Sequence, residues 1–519
     1  MVEKHSESPV ESAISHKPPE KRRDRSLDLS EAEADRPEGL SLQKNHEKTA
    51  KSTISRRPQK YDVIIVGGGP AGIFAALELC QATDVKVLLL EKGKDIDARK
   101  CPLQETGKSC ASCSPCHLVS GLGGAGAFSD GKLTLSSAVG GRLGELVGSD
   151  RTQELIDYVD SLYLKFGATD RIYGVGEKVD ELGRRAILAE LRLVPVKLRH
   201  IGTERSRQVL KAMRDFIVRG VEVRLGEMVA SIIVDNGVVA GVKTDRGERL
   251  ECRYLVLAPG REGAEWLTKE AGRLKLSLKS NPIDVGVRVE VPAPVLEELT
   301  SVLYESKLEF FSRSFGDRIR TFCMCPGGEV IMEATGGADP VITVNGNSYA
   351  ERKTGNTNFA ILVSTTFTEP FHEPIAYGKY LARLANLLSG GVLVQRFGDL
   401  MEGHRSTPER IKHSIVEPTL KAATPGDLSF ALPFRHLKGI VEMLQAMDKL
   451  APGVASRHTL LYGVEVKFYS SQLGLSPCLE TEIGNMFAAG DGAGVSRGLI
   501  QASACGVVVA GEILRRLGK

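Results

Sequence analysis

A glycine-rich turn between a short apolar strand and a helix constrains this chain more than any other feature. Asp62-Val63-Ile64-Ile65-Val66 is a β-branched run of the kind found in parallel strands buried on both faces. Gly67-x-Gly69-x-x-Gly72 follows directly. Ile73 to Cys80 then carries Ile73, Phe74, Leu77 and Leu79 at helical spacing, and Val85 to Leu90 predicts a second buried strand that ends in Glu91. The pattern predicts a βαβ unit of about thirty residues. Each glycine has its own mechanical role. Gly67 makes the tight turn, Gly69 lets backbone approach a pyrophosphate, and Gly72 lets helix and strand pack closely. The helix N-terminus offers free N–H groups and a positive dipole end to phosphate. Glu91, 19 residues past Gly72, stands where a carboxylate accepts both ribose hydroxyls. Its charge repels a 2′-phosphate, which favours FAD or NAD over NADP.

Length and charge narrow the class. The 519 residues suffice for two or three domains at about 150 each. With 42% apolar and 26% charged residues, most of the chain can bury a core. The net charge of +3 leaves no electrostatic footprint for nucleic acid or an acidic membrane. No stretch approaches the roughly 20 apolar residues of a membrane span; the longest candidate, Cys505 to Leu514, is interrupted by Glu512. Residues 1–60 contain no aromatic before Tyr61 and read as a disordered tail, because they cannot bury enough surface to offset their ordering entropy. No apolar core of a signal peptide is present there. An organellar transit peptide is the alternative, but such peptides are poor in acidic residues, and this tail carries Glu3, Glu7, Glu11, Glu20, Glu31 and Glu33. A solvated extension and a cytoplasmic location are expected.

Further along, Glu204 to Arg219 has helical spacing. Strands are predicted at Val221–Leu225, Val229–Val234, Val238–Thr244 and Leu250–Leu257, separated by the turn signals Asp235-Asn236-Gly237 and Asp245-Arg246-Gly247. Residues 281–458 mix strand-like and helical segments. Asn485 to Leu517 predicts a strand, a glycine-rich turn and a helix.

Two remote segments separate FAD from NAD. Leu255-Val256-Leu257-Ala258-Pro259-Gly260 resembles a strand-end motif of flavoproteins. Gly484-Asn485-Met486-Phe487-Ala488-Ala489-Gly490-Asp491 resembles their terminal signature, in which the Asp holds a ribityl hydroxyl and the next helix N-terminus faces the flavin. The set resembles FAD-dependent oxidoreductases with the glutathione-reductase-type dinucleotide fold. Ser120-Gly121-Leu122-Gly123-Gly124-Ala125-Gly126-Ala127-Phe128-Ser129-Asp130-Gly131-Lys132, Arg199-His200-Ile201-Gly202-Thr203, Phe322-Cys323-Met324-Cys325-Pro326-Gly327-Gly328 and Tyr462-Gly463-Val464-Glu465-Val466-Lys467-Phe468 resemble a narrower group, the largely uncharacterised FAD-dependent dehydrogenases of bacteria and plastids. Asn347, where Met is usual, and Pro259, where Thr is usual, depart from that group.

The resemblance implies an α/β protein with a Rossmann-type FAD-binding domain and an inserted α+β substrate domain. The expected boundaries are 61–275 and 459–519 for the FAD domain and 276–458 for the insert. For FAD it implies contacts from Gly67, Gly69, Pro70, Ala71, Gly72, Glu91, Lys92, Gly124, Ser129, Lys132, Val229, Gly260, Asp491, Arg497, Gly498 and Gln501.

Cys101-x8-Cys110-x2-Cys113-x2-Cys116 precedes the glycine-rich segment. Short gaps let successive thiolates converge on an iron–sulfur cluster, although the Cys-Pro pair usual at the fourth ligand here comes first. Four thiolates also suit a closed zinc site. A dithiol exchanging electrons with the flavin and a plain reduced loop complete the alternatives. Cys323 and Cys325 stand too close together for an easy bridge.

Flavins perform their own hydride chemistry while the protein orients and shields. Tyr349, Arg352, Asn356 and Asn358 are expected in a polar loop able to face the ring or a substrate carboxylate, with Arg352 as a bidentate fork. His404 is a weaker acid–base candidate. No second Gly-x-Gly-x-x-Gly follows a strand, so a separate NAD(P)H domain is not expected, and NAD(P)H or another electron carrier would visit transiently. The expected function is hydride transfer between a small organic substrate and FAD. Flavin monooxygenase, double-bond reductase and non-enzymatic flavin-binding scaffold are the alternatives.

Overall fold

Five short strands lie parallel in the order Val221–Leu225, Val87–Glu91, Gln59–Val66, Arg249–Leu257, Met486–Ala488. Val87–Glu91, Val63–Val66, Tyr254–Leu257 and Met486–Ala488 are buried on both faces, which is why they read as continuous apolar runs, whereas the edge strand Val221–Leu225 alternates and leaves Glu222 exposed. Arg249–Leu257 is shared between two partners. Its first residues pair antiparallel with Val238–Thr244, part of a hairpin with Val229–Asp235, while Leu255, Val256 and Leu257 pair with Met486–Ala488. The chain terminus thus completes a Rossmann-type sheet begun more than four hundred residues earlier.

The computed structural model describes residues 59–101, 113–279, 281–335, 340–349, 352–365, 367, 371, 373–467 and 471–519. Most of the tail expected at 1–60, and Cys110, lie outside them. Arg56–Lys519 forms one unit.

The helix Pro70–Leu79 follows the first strand, and the terminal helix Leu499–Leu517 lies against it. Their backbones touch: a Cβ on Gly506 would come within 2.2 Å of the Ala71 carbonyl oxygen. The first apolar core is built from this helix pair, the parallel sheet and the helices Ser149–Lys165 and Thr203–Ile217.

A second, eight-stranded sheet runs Thr424–Pro425, Leu393–Arg396, Leu460–Lys467, Ile283–Pro292, Asn356–Thr365, Arg318–Cys325, Leu308–Phe311, Arg192–Leu193. Its central strands pair antiparallel, and the helices Ala293–Leu303 and Phe434–Leu450 cover it in a separate core. The two chain crossings between the sheets pair with each other, Leu278–Lys279 against Gln472–Leu473.

Two segments belong elsewhere than expected. Leu460–Lys467, expected with the FAD-binding part, is a central strand of the second sheet, between Leu393–Arg396 and Ile283–Pro292. Arg192–Leu193 joins the far edge of that sheet, and the helix Glu177–Leu188 sends Val179, Leu182 and Ala186 into the second core. Apolar periodicity reports that a segment is buried, not which of two cores buries it.

Two outcomes test this packing. Gly506→Ala overpacks the helix crossing and is expected to cost about 1–3 kcal/mol, read as a lowered Tm. His436, buried under the second sheet with its Nε2 2.8 Å from the Thr365 hydroxyl, has its pKa pushed down to about 4 by burial. Above pH 6.5 both folded and unfolded states hold this histidine neutral. As the pH falls towards 4 only the unfolded state takes the proton, so stability drops by about 1.4 kcal/mol per pH unit. Urea melts at pH 7 and pH 5 are expected to show this loss, and His436→Gln to remove its share.

Candidate functional site

The glycines of the first turn divide by what surrounds them. Gly67 has φ of +105°, and a Cβ there would fall 2.1 Å from the Ala258 carbonyl oxygen. A Cβ on Gly72 would fall 1.9 Å from the Gly67 carbonyl oxygen. Both positions exclude any side chain. Gly69 faces open space instead, with only the Gly124 Cα near, at 3.9 Å. That opening lies at the start of the helix Pro70–Leu79, whose N-terminus has no side-chain cap, so its first N–H groups stay available to an anion.

Glu91 is buried beside this turn. Its Oε2 accepts the Gly68 N–H at 2.8 Å, and its Oε1 accepts those of Gly93 and Gly121 at 2.8 and 2.9 Å. A carboxylate has about four acceptor positions, so three are taken by backbone. The Gly123 N–H donates to the Gly68 carbonyl, which brings Gly124 over Gly69. Gly226 and Glu227 bond back to Gly93 and Glu91, which sets Val229 in the same corner. Lys92 lies 3.7 Å from Glu262.

At the other end, Asp491 accepts the Ser496 hydroxyl at 2.6 Å and lies 3.6 Å from Arg261, and burial raises its pKa. A Cβ on Gly492 would meet the Gly260 carbonyl oxygen at 2.5 Å, so the crossing at Ala258-Pro259-Gly260 lies against the terminal turn. The Arg497 backbone N–H donates to Gly140, and Gln501 Nε2 to Val139. Gln501 Oε1 is buried with no partner. Gly498 begins the terminal helix, again with no side-chain cap.

Val139, Gly140, Arg261, Asp491, Ser496, Arg497, Gly498 and Gln501 form one wall of a cavity of about 650 Å³. The opposite wall comes from the second sheet: Arg318, Arg320, Thr321 and Phe322 on one strand, Lys467 on another, and Lys307, Leu308 and Glu309 at the edge. Arg320 is held by Asp284 at 2.5 Å and lies over the Phe322 ring, which Lys467 approaches at 5.7 Å. Lys132 lines the cavity too. Burial alone would lower its pKa, but Asp130, Cys323, Cys325 and Glu305 hold it well above the ordinary value. Ser129 serves the turn that positions Lys132, donating to Gly126 and accepting from Gly131.

The three side chains expected to do chemistry are not among the cavity's lining. Arg352 is exposed, pairs with Glu329 at 2.7 Å and stacks over Tyr349. Asn356 is not in a loop: it begins the strand Asn356–Thr365 and donates to Glu290 at 3.0 Å and to the Glu417 carbonyl at 2.8 Å. Its polarity serves the interior of the second sheet. His404 is exposed beside Glu402. The lining residues that sequence reasoning missed, Arg320, Phe322 and Lys467, alternate along strands, and alternation alone does not say which face meets a cavity.

Cys101, Cys113 and Cys116 flank a loop stapled by the buried Arg99, which donates to the carbonyls of His117, Leu118 and Leu122. Among the described residues, the group of three metal-ligating side chains that converges is Asp130, Cys323 and Cys325, not this loop. With Cys110 outside the described residues, the four-cysteine cluster stays an expectation.

The opening at Gly69, the two uncapped helix starts and the orphaned Gln501 Oε1 fit an elongated anionic dinucleotide reaching from the first turn into the cavity. Comparison with known proteins agrees. Residues 62–98 match the FAD binding domain family, and residues 282–468 match the family described as FAD-dependent protein, C-terminal domain-like. An uncharacterized protein of Clostridium beijerinckii is 28% identical over 495 residues, 90% of this chain and 83% of its own. Among solved structures, L-proline dehydrogenase from P. horikoshii aligns over 89% of this chain and 95% of its own at 12% identity, with a TM-score of 0.39. Glycine oxidase from Geobacillus kaustophilus aligns over 88% and 95% at 15% identity, with a TM-score of 0.35. Likeness at this distance carries neither substrate nor reaction across.

Glu91→Ala leaves three buried N–H donors without an acceptor, each costing about 1–3 kcal/mol. The variant is expected to lose FAD and to melt earlier, read as flavin absorbance per protein and as Tm. Undiminished flavin content would count against Glu91 as the ribose-side acid.

Proposed function

We propose, from the premise that this chain is an FAD-dependent oxidoreductase, that it is a dehydrogenase taking hydride from a small anionic substrate at a C–H bond next to nitrogen or oxygen. One observation carries the choice of an anion: eight basic residues line the cavity (Lys132, Arg192, Arg261, Lys307, Arg318, Arg320, Lys467 and Arg497) against two acidic ones, Glu309 and Asp491. At least seven of the eight bases are ion-paired, but Lys132, Arg320, Lys307 and Lys467 pair with Asp130, Asp284, Glu305 and Glu465, which do not line the cavity, so bases outnumber acids among the groups that do. A concave site lined by one sign of charge focuses its field and concentrates counter-ions.

The residues proposed to hold FAD are the first-turn glycines with Pro70, Ala71, Glu91 and Lys92, then Gly124, Val229, Gly260, Asp491 and the start of the terminal helix. When bound, FAD supplies the two-electron hydride chemistry. The chain's own residues bind and orient. Arg320, fixed by Asp284, presents a fork to a substrate carboxylate. Phe322 offers an apolar face between Arg320 and Lys467 on the wall that the second sheet forms.

Anaerobic mixing of the flavoprotein with small 2-hydroxy and 2-amino carboxylates, and with their neutral amides, tests the reading. Bleaching of the flavin by carboxylates alone is expected. NAD(P)H-dependent oxygen consumption without any anaerobic bleaching would instead identify a monooxygenase. Arg320→Ala is expected to raise KM for the carboxylate roughly ten- to hundredfold, as loss of a charged hydrogen bond of about 1.5–3 kcal/mol implies, with a smaller change in kcat.

A further inference from the structure

Two thiols meet beside the cavity, next to Phe322. Cys323 and Cys325 have their Sγ atoms 4.0 Å apart, so the expectation that their spacing hinders a bridge gives way to the local backbone geometry. The strand that carries them is irregular at this point: Phe322 pairs with Ala360 and Cys325 with Asn358, three steps against two. Such a bulge re-aims side chains and recurs beside active sites. Cys323 takes φ of +46°, a conformation uncommon for any residue but glycine. Arg288, fully buried and paired with Glu465 at 3.0 Å, donates to the Cys323 carbonyl at 2.7 Å and holds the bulge in place.

The bulge gathers both thiols around one cation. Lys132 Nζ lies 3.8 Å from each sulfur, 2.8 Å from Asp130 and 3.5 Å from Glu305, and donates to the Met324 carbonyl at 2.6 Å. The ligand atoms of Asp130, Cys323 and Cys325 lie within 4.8 Å of one another, but the ammonium already stands among them, where a metal ion would have to displace it. The chemistry this favours is that of a thiolate. A hydrogen bond from Cys325 holds the Cys323 thiol below the ordinary range, helped by Lys132 and Arg288, and Cys325 is pushed up in turn. Accessibility separates the two as well: Cys323 is partly exposed and Cys325 is fully buried.

We propose that Cys323 and Cys325 form a redox-active pair that exchanges with low-molecular-weight disulfides, Cys323 attacking and Cys325 resolving. The Cys323 thiolate attacks one sulfur of RS–SR, forming a mixed disulfide and releasing RS⁻. Cys325 passes its proton to that thiolate, giving RSH, and its own sulfur then attacks Cys323, expelling a second RS⁻. The pair is oxidised by two electrons, the small disulfide is reduced to two thiols, and excess thiol runs the exchange backwards. The pair's role does not depend on the hydride-transfer reading.

The probe is glutathione disulfide added to the purified flavoprotein, followed by iodoacetamide and peptide mass mapping. The peptide holding both cysteines is expected to lose two hydrogens and resist alkylation, and excess glutathione to reverse both changes. Cys325→Ser should stop with one glutathionyl group on Cys323. Should that variant not fold, limited alkylation of the unmodified protein is expected to label Cys323 ahead of Cys325. Lys132→Met should slow alkylation of Cys323 about tenfold at neutral pH, through the lost thiolate fraction. If both cysteines remain fully alkylatable after glutathione disulfide, or oxidation falls on Cys101, Cys113 or Cys116 instead, the proposal is overturned.

Discussion

The Glu91 carboxylate is the contact on which the nucleotide-binding end depends. It lies at the end of an interior strand and gathers backbone N–H groups from three separate loops, at Gly68, Gly93 and Gly121. A buried carboxylate is tolerated only where donors satisfy it, and charged acceptors make the stronger hydrogen bonds. The same contact therefore neutralises the cost of burying Glu91 and fixes the first glycine turn against the segment that covers it. The site is preorganised by an interaction within the chain.

The second sheet is held by different means. Arg288 and Glu465, both fully buried, pair at 3.0 Å between adjacent strands, and Glu290 accepts the Tyr462 hydroxyl at 2.6 Å one strand register away. Buried pairs of this kind contribute little net stability, but breaking one leaves an uncompensated charge. What they specify here is placement. Arg288 reaches the carbonyl of Cys323, so the register of the sheet interior is tied to the bulge that turns two thiols towards Lys132. The first sheet thus shapes a cradle for an anionic cofactor, and the second supplies the wall that carries Arg318, Arg320 and Lys467, with Cys323 and Cys325 beside it. The cavity exists because the two meet.

Legibility followed the length scale of the interactions. The first strand, its turn, the helix after it and Glu91 are contiguous or nearly so, and each leaves a local mark. The strands from Val221 to Leu257 were readable for the same reason. The reading of Asn356 failed instructively. A polar residue at the head of an apolar strand resembles loop sequence, yet its amide meets Glu290 and the Glu417 carbonyl inside the sheet. Leu460–Lys467, expected with the FAD-binding part, failed in the other direction: membership of one sheet or the other depends on partners nearly two hundred residues away.

The amino-acid sequence alone determined a parallel sheet with a dinucleotide cradle, because the glycines and the acid that make it work act on neighbours in the chain. Only the tertiary structure decided which side chains face the cavity and that Lys132 stands between two thiols. Those facts are distances between residues that chain order leaves far apart, and a strand's alternation does not say which of its two faces a second sheet will cover.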